Sequence, residues 1–310
     1  METQDRFRGA LLGLAVGDAV GTTLEFRARG TFAPLTDMVG GGPFRLEPGE
    51  WTDDTSMALC LATSLVERVG FDPKDQMDRY VRWIAQGYLS STGTCFDIGN
   101  TVSDALRRYE RTGNPFAGST DPYSAGNGSI MRLAPVALAY YPDMEVIERY
   151  AAKSSRTTHG AQECVDACRL LGRALGRALA GQGKSEVLLG DAESFGGAAS
   201  IVDIARGAYR QKTRDDIRGT GYVVKSLEAA FWCVDRTETF RDAVLLAANL
   251  GDDADTTAAI VGQVAGAHYG MGDIPEGWLA KLAMRDEIVA LADRLLGLQI
   301  GTDQRDGEPT

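Results

Sequence analysis

The sequence predicts an all-α protein that folds as a single compact multi-helix domain. Apolar residues recur at helical spacing along much of the 310-residue chain, as in the stripe from Met57 to Val69. Alternating apolar and polar runs are nearly absent, and so are the continuous β-branched runs of a parallel sheet. These two observations favour helices packed on helices.

Seven segments carry the helical spacing or a helix start signal. They are residues 55–69, 98–110, 160–181, 222–234, 238–249, 256–269 and 278–298. A further helix is predicted to open at Gly126–Ser129 and to continue through the apolar residues that follow. Glycine- and proline-rich stretches separate these helices without low-complexity character, which predicts one domain over residues 1–300. The polar residues 301–310 are predicted to form a disordered tail.

Charge and cysteine content exclude several classes of protein. A net charge of −11 argues against nucleic acid and against an anionic membrane surface as partners. No run of eighteen apolar residues is present, so no membrane span is predicted, and the first residues do not resemble a signal peptide. Five scattered cysteines suit buried, reduced thiols and predict a cytoplasmic location. With only two histidines, any metal is expected to be held by oxygen.

Two acidic clusters each precede an apolar helix, at residues 51–55 and 252–257. Either cluster alone is explained by helix capping, because Asp and Thr are preferred N-caps and acidic residues favour the first turn. Two clusters together hold five carboxylates, which exceeds what capping uses and brings like charges together. Facing each other they would offer about six oxygen ligands to one or two Mg²⁺ or Mn²⁺ ions. The ligands would be Thr52, Asp53, Asp54, Asp253, Asp255 and Thr256.

The two clusters belong to a longer series of blocks. WTDDTSMALCL and GDDADTTAAIVGQVAGAHYG resemble metal-binding motifs of the ADP-ribosylglycohydrolase family. Further blocks resemble that family in the family's own order, from about residue 6 to residue 298. These are residues 12–19 with Glu25, 40–49, 95–101, 125–132, 158–159 and 219–222.

The resemblance implies an all-helical single domain with a central two-metal site, and it assigns parts of ADP-ribose to particular loops. The diphosphate and distal ribose would contact Ser124, Gly126, Asn127 and Gly128. His159 would bind the phosphate region, and Tyr222 beside Gly219 and Gly221 would stack on adenine. Asp97 and Asn100 would lie beside the ribose and the leaving group. Taken alone, these residues also have ordinary explanations as helix caps, glycine turns or core side chains.

The implied activity is metal-dependent hydrolysis of the glycosidic bond between ADP-ribose and a modified side chain, and the favoured side chain is arginine in an ADP-ribosylated protein. ADP-ribose would be the product. Glu25 and Asp54 are candidates for the general base, and Asp97 is a candidate for assisting the guanidine leaving group. The alternatives are a hydrolase of a serine-linked or small conjugate, a non-catalytic ADP-ribose binder, and a helical structural protein with well-capped helices.

Overall fold

The computed structural model describes residues 1–298 and residue 300. Over these residues the chain forms fourteen α-helices, joined by loops and short 3₁₀ turns. Isolated β-bridges are present in place of a sheet among the described residues, so the predicted all-α class is confirmed. The tail predicted at residues 301–310 lies outside the described residues. No described helix combines the length and apolarity needed to cross a bilayer.

The helices are numbered in chain order. They are α1 Thr3–Gly21, α2 Asp53–Glu67, α3 Pro73–Gln86, α4 Asn100–Thr112, α5 Ala134–Tyr140, α6 Met144–Thr158, α7 Gln162–Leu179, α8 Lys184–Leu189, α9 Ala199–Ala205, α10 Val223–Asp235, α11 Phe240–Ala248, α12 Ala254–Tyr269, α13 Glu276–Lys281 and α14 Arg285–Leu296. The predicted helices that correspond to α2, α4, α7, α10, α11 and α12 agree with the structure to within two residues at each end.

The predicted single helix over residues 278–298 is wrong, because α13 and α14 are separate helices. Met284, between them, has a left-handed backbone with φ of 53°. The Ala283 N–H donates to the carbonyl of Gly49, outside both helices, at 3.0 Å. This long-range contact draws the chain out of the helical path, and the apolar periodicity simply resumes after the break.

The helix predicted to open at Gly126–Ser129 is also wrong. Gly126 forms an isolated bridge with Tyr222, residues 128–132 form turns, and α5 begins only at Ala134. Pro135 lies in the first turn of α5. A proline is tolerated there, but in a helix that began near residue 129 it would remove a hydrogen bond and clash with the preceding turn.

At the centre of the fold, α1 and α12 pack as an antiparallel pair with their backbones in contact. Every fourth residue of α1 from Gly9 to Gly21 faces a small residue of α12, from Gly266 back to Ala254. A Cβ built on Gly262 would lie 1.9 Å from the carbonyl oxygen of Gly13. Residues spaced by four share one face of a helix, so the small residues form a continuous contact strip.

The same two helices are buried on nearly all sides. α1 is buried continuously from Gly9 to Gly21, and α12 from Ala254 to Ala267. Helices α10, α11 and α14 pack around the pair, and α6 and α7 form a second closely packed pair beside it. The antiparallel arrangement brings the end of α1 next to the first turn of α12, which carries one of the two acidic clusters.

We expect the substitution Gly262→Ala to lower the free energy of unfolding by about 3 kcal/mol or more, because the added methyl group forces apart two backbones in contact. Urea unfolding followed by circular dichroism measures the change. Gly277→Ala is the matched control: Gly277 is an exposed glycine of α13 with no atom within 4 Å of a built Cβ. It should leave stability unchanged or raise it slightly. Equal stability of the two variants would contradict the proposed backbone contact.

Candidate metal centre and ligand cleft

The two acidic clusters meet at the first turns of α2 and α12. The Thr52 hydroxyl lies 3.3 Å from Asp54 Oδ2 and 3.2 Å from Asp255 Oδ2. From α12, the Thr256 hydroxyl donates to the same Asp54 oxygen at 3.3 Å. All four side chains are buried. The structure therefore brings together four of the six ligands predicted from the sequence in direct contact.

Asp18, which sequence reasoning missed, holds the α2 cluster in place from α1. Its Oδ1 accepts hydrogen bonds from the Thr52 N–H at 2.9 Å and the Thr52 hydroxyl at 3.0 Å. Its Oδ2 accepts from the Thr55 N–H at 3.0 Å and the Thr55 hydroxyl at 2.7 Å. The Thr52 side chain does not cap α2 itself, so Asp18 supplies the cap from a different helix. A carboxylate inside the otherwise apolar stretch of residues 10–20 was the available signal.

Two further carboxylates join the cluster from loops. Glu25 follows the 3₁₀ turn at the end of α1, and Asp97 precedes α4 with a left-handed φ of 59°. Glu25, Asp97 and Asp255 each offer an oxygen within 4.8 Å of the others, and so do Asp18, Asp54 and Asp255. The two groups of three carboxylates share Asp255.

Burial and like charge raise the pKa values of these carboxyl groups. Burial is the largest cause for Asp53, Asp54 and Asp255, whose pKa values lie well above the ordinary value, and neighbouring carboxylates add to it. The pKa of Glu25 is raised to about 10 by burial and then by Asp97 and other acidic neighbours. The pKa of Asp97 is raised to about 7, again chiefly by burial. The ionised forms of these carboxyl groups therefore need a positive charge nearby to stabilise them.

The oxygen atoms of the cluster fit a hard divalent cation. Among the described residues, Glu25 Oε2, Asp54 Oδ1 and Asp255 Oδ1 are buried without a hydrogen-bond partner. Buried unpartnered carboxylate oxygens are costly unless a ligand or ion satisfies them. A donor set made of carboxylates and hydroxyls suits Mg²⁺ or Mn²⁺ and lacks the thiolate and imidazole ligands typical of zinc.

A cleft of about 480 Å³ opens beside the cluster. Acidic side chains, a glycine loop and an imidazole line it. The lining residues that the sequence had indicated are Glu25, Asp53, Asp97, Asn100, Gly126, Asn127, Gly128, His159, Gly221, Asp253, Asp255 and Thr256. Thr52 and Asp54 are fully buried and do not line the cleft. Asn100 is the first residue of α4, whose N-cap is Gly99.

The glycine loop at Gly126–Gly128 is fixed on two sides. The Asn127 N–H donates to the carbonyl of Gly221 at 3.0 Å, which ties the loop to the segment before α10. The Asn127 side-chain amide donates to Asp253 Oδ2 at 2.8 Å and so ties the loop to the acidic cluster. These two hydrogen bonds fix the position of the glycine loop relative to the acidic cluster.

A second cavity of about 610 Å³ adjoins the cleft and shares Thr101, Gly126 and Gly221 with it. Ser124 and Tyr222 line this second cavity and not the cleft. Tyr222 is 40% exposed, and its hydroxyl donates to Glu163 Oε2 at 2.7 Å. An exposed, hydrogen-bonded aromatic ring at the edge of a cavity is suited to stacking against a flat ligand.

Gly219 lies outside the lining of both cavities, unlike Gly221 and Tyr222 of the same block. A Cβ built on it would lie 2.3 Å from the Thr257 hydroxyl, and its carbonyl accepts from the Asp253 N–H at 2.9 Å. Gly219 therefore packs against the first turn of α12. Because glycine has no side chain, this close contact is possible, and it helps to hold the first turn of α12, which carries the acidic cluster.

Comparisons with known proteins agree with this architecture. The sequence profile of the ADP-ribosylglycohydrolase family matches residues 1–305. The protein named ADP-ribosylarginine hydrolase Tri1 from Pseudomonas putida (strain GB-1) is 48% identical over 302 residues, covering 97% of this chain and 81% of that protein. The ADP-ribosyl-[dinitrogen reductase] glycohydrolase of Rhodospirillum rubrum is 36% identical over 303 residues, covering 95% of this chain and 96% of that protein.

A solved structure titled "ADP-ribosylglycohydrolase-related protein complex" superposes with a TM-score of 0.85 at 44% sequence identity. It covers 96% of this chain, and this chain covers 99% of it. The match in sequence and in fold thus extends over almost the whole length, including both acidic clusters and the glycine loop. This chain belongs to the ADP-ribosylglycohydrolase family.

Proposed function

We propose that this protein is a metal-dependent ADP-ribosylarginine hydrolase, which cleaves the bond between ADP-ribose and a modified arginine side chain of a protein. The observation that carries the proposal is the buried carboxylate cluster at the base of a cleft with an adjoining cavity. The arginine-directed name of a relative with nearly half of its residues identical favours arginine over a serine-linked or small conjugate. The same name favours an enzyme over a non-catalytic binder of ADP-ribose.

Two divalent cations, Mg²⁺ or Mn²⁺, are assigned to the cluster. Two carboxylate groups that share Asp255 support two ions, and the raised pKa values of Glu25 and Asp54 support a need for positive charge. When bound, such ions would supply Lewis-acid chemistry and orient ribose hydroxyls. The proposed ligands remain Thr52, Asp53, Asp54, Asp253, Asp255 and Thr256.

The rest of ADP-ribose is assigned along the two cavities. We place the diphosphate against the Gly126–Gly128 loop and His159, and the adenine against Tyr222 in the adjoining cavity. The distal ribose would then lie over the carboxylates, with the arginine side chain toward Asp97. The sequence adenine, diphosphate, distal ribose and arginine is supported by the position of the two cavities, which adjoin each other at Gly126 and Gly221.

Glu25 is the favoured general base. It lines the cleft, and its Oε2 lacks a hydrogen-bond partner among the described residues, so this oxygen is available to a water molecule in the cleft. Asp54 is less suited to this role because it is fully buried behind the cleft. Water would attack C1 of the ribose as the bond to the guanidine nitrogen breaks, through an oxocarbenium-like transition state. Asp97 would pair with the guanidinium group.

A cytoplasmic location is proposed as well. All five cysteines of the chain are free, and four of them are buried. Reduced buried thiols are typical of proteins from a reducing compartment.

The activity is tested with an arginine-linked ADP-ribosylated peptide in the presence of Mg²⁺ or Mn²⁺, with release of ADP-ribose measured by chromatography. We expect release that stops when EDTA is added, because the carboxylate cluster needs its cations. A serine-linked peptide treated in parallel should release ADP-ribose more slowly. Release from the serine-linked peptide alone would move the assignment to that linkage, and ADP-ribose binding without release from either would favour a binder.

Asp255→Asn should weaken binding of Mn²⁺ by more than about tenfold, because Asp255 belongs to both carboxylate groups. Isothermal titration calorimetry measures the affinity. The matched control is Asp252→Asn, which changes a half-buried carboxylate outside both groups at a left-handed position that asparagine tolerates. Equal loss of affinity in both variants would argue against a specific cation site at Asp255.

Glu25→Gln should lower kcat by about a hundredfold or more while the variant still binds ADP-ribose, because glutamine keeps the shape of the side chain but accepts no proton. Steady-state hydrolysis of the arginine-linked peptide gives kcat, and calorimetry gives the affinity for ADP-ribose. A variant with unchanged kcat would exclude Glu25 as the general base and leave Asp54 as the remaining candidate.

A further inference from the structure

An arginine lies fully buried behind the cleft without a carboxylate partner. Arg132 is 0% exposed, and no carboxylate of the described residues lies within ion-pair distance of its guanidinium group. One terminal nitrogen donates to the carbonyl of Gly128 at 2.9 Å, and the other donates to the Thr158 hydroxyl at 2.6 Å. The ring of Tyr80 lies 4.9 Å from its Cζ atom. A buried charge without a counterion is costly, so Arg132 is expected to have a role beyond packing.

The Thr158 hydroxyl contacts both Arg132 and His159 and so connects them. Thr158 Oγ1 accepts a hydrogen bond from Arg132 and lies 2.8 Å from His159 Nδ1. Among the described residues, Nδ1 is the one acceptor within reach of the hydroxyl hydrogen. A proton on Nδ1 would leave that hydrogen buried without an acceptor, which costs more than the opposite arrangement. Nδ1 is therefore the acceptor, and a neutral ring then carries its proton on Nε2.

The ring is held neutral by its surroundings. His159 is 1% exposed, and burial together with the nearby Arg132 charge lowers its pKa to about 3. Since the neutral imidazole has a single N–H, the acceptor role of Nδ1 and the donor role of Nε2 follow from each other.

Nε2 points toward the glycine loop. A Cβ built on Gly126 would lie 3.3 Å from Nε2, and one built on Gly128 would lie 3.2 Å from Nε2 and 2.8 Å from Cε1. The two glycines thus leave room for the ring edge, and His159 lines the cleft. Nε2 has no hydrogen-bond partner among the described residues, so its proton is free to meet a ligand.

We infer that Arg132 and Thr158 are positioning residues that hold His159 as the Nε2–H tautomer, with Nε2 donating a hydrogen bond to an anionic oxygen in the cleft. That this oxygen belongs to the diphosphate of ADP-ribose rests on the proposed function. Arg132 also places a positive charge behind the glycine loop, where the helix N-terminus predicted from the sequence is absent. A hydrogen bond from a fixed donor to a charged oxygen is among the stronger kinds.

The tautomer is measured directly by long-range ¹H–¹⁵N correlation spectra of the ligand-free protein labelled with ¹⁵N-histidine. The chain has two histidines, and the signals missing in His159→Gln identify those of His159. We expect one protonated nitrogen at Nε2 and a bare Nδ1. A proton on Nδ1, or a doubly protonated ring at neutral pH, would overturn the inference.

The hydrogen-bonded series from Arg132 through Thr158 to His159 is called the relay here, and three variants test it. Thr158→Val removes the hydroxyl at nearly constant volume, and we expect loss of the fixed tautomer and at least about tenfold weaker ADP-ribose binding by calorimetry. Thr158→Ser keeps the hydroxyl and should restore both. Thr157→Val is the matched control, because the buried Thr157 hydroxyl contacts Gln76 and Ser154 instead of His159. Equal effects of the valine substitutions at 157 and 158 would mean that the hydroxyl of Thr158 serves packing alone.

The spectra and the hydrolysis assay separate the two proposals. An Nδ1–H ring in an enzyme that hydrolyses the arginine-linked peptide would overturn the relay and keep the function. An Nε2–H ring that depends on the Thr158 hydroxyl, in a protein that neither binds nor releases ADP-ribose, would support the relay and overturn the function.

Discussion

The site depends on the direct backbone contact between α1 and α12. Glycines at every fourth position let the two helices approach until a Cβ at Gly13 or Gly262 would overlap the opposite carbonyl. Because the helices run antiparallel, this contact fixes the end of α1 beside the first turn of α12. Asp18 then reaches α2 and Glu25 reaches the cleft, so carboxylates from three helices and two loops meet at one point.

Bringing several buried carboxylates together is unfavourable, because burial and like charge both destabilise their ionised forms. Hydrogen bonds offset this cost for some of the carboxylates and not for others. Asp18 is compensated by four hydrogen bonds from α2, although burial still raises its pKa to about 6. Asp253 is compensated by the Asn127 amide. Glu25, Asp54 and Asp255 keep oxygens without partners among the described residues. Both carboxylate oxygens of Asp18 are thus bonded, whereas Glu25, Asp54 and Asp255 each keep an oxygen free for a ligand, as expected where a ligand completes the site.

The sequence predicted the features that have a local signature. The local signals located six of the fourteen helices to within two residues, and the two Asp/Thr clusters identified the segments that meet. Features that depend on distant contacts were missed or wrong. The break at Met284 follows from the bond between Ala283 and Gly49, and the turn at Gly126 follows from pairing with the segment before α10. Asp18 has a sequence signal, a carboxylate in an apolar stretch, but its role, like that of Arg132, follows only from its contacts with distant segments.

The sharing of Asp255 between two carboxylate groups has a consequence for occupancy. A cation bound in one group neutralises charge that repels the carboxylates of the other, which favours the second cation. The same cation also takes oxygen atoms that the other group would use, which opposes it. For the two cations proposed above, the affinities would therefore be linked, and by reciprocity each ion would alter the binding of the other by the same factor. The centre would then fill cooperatively or anticooperatively, according to whether charge neutralisation or competition for the Asp255 oxygen atoms is the larger effect.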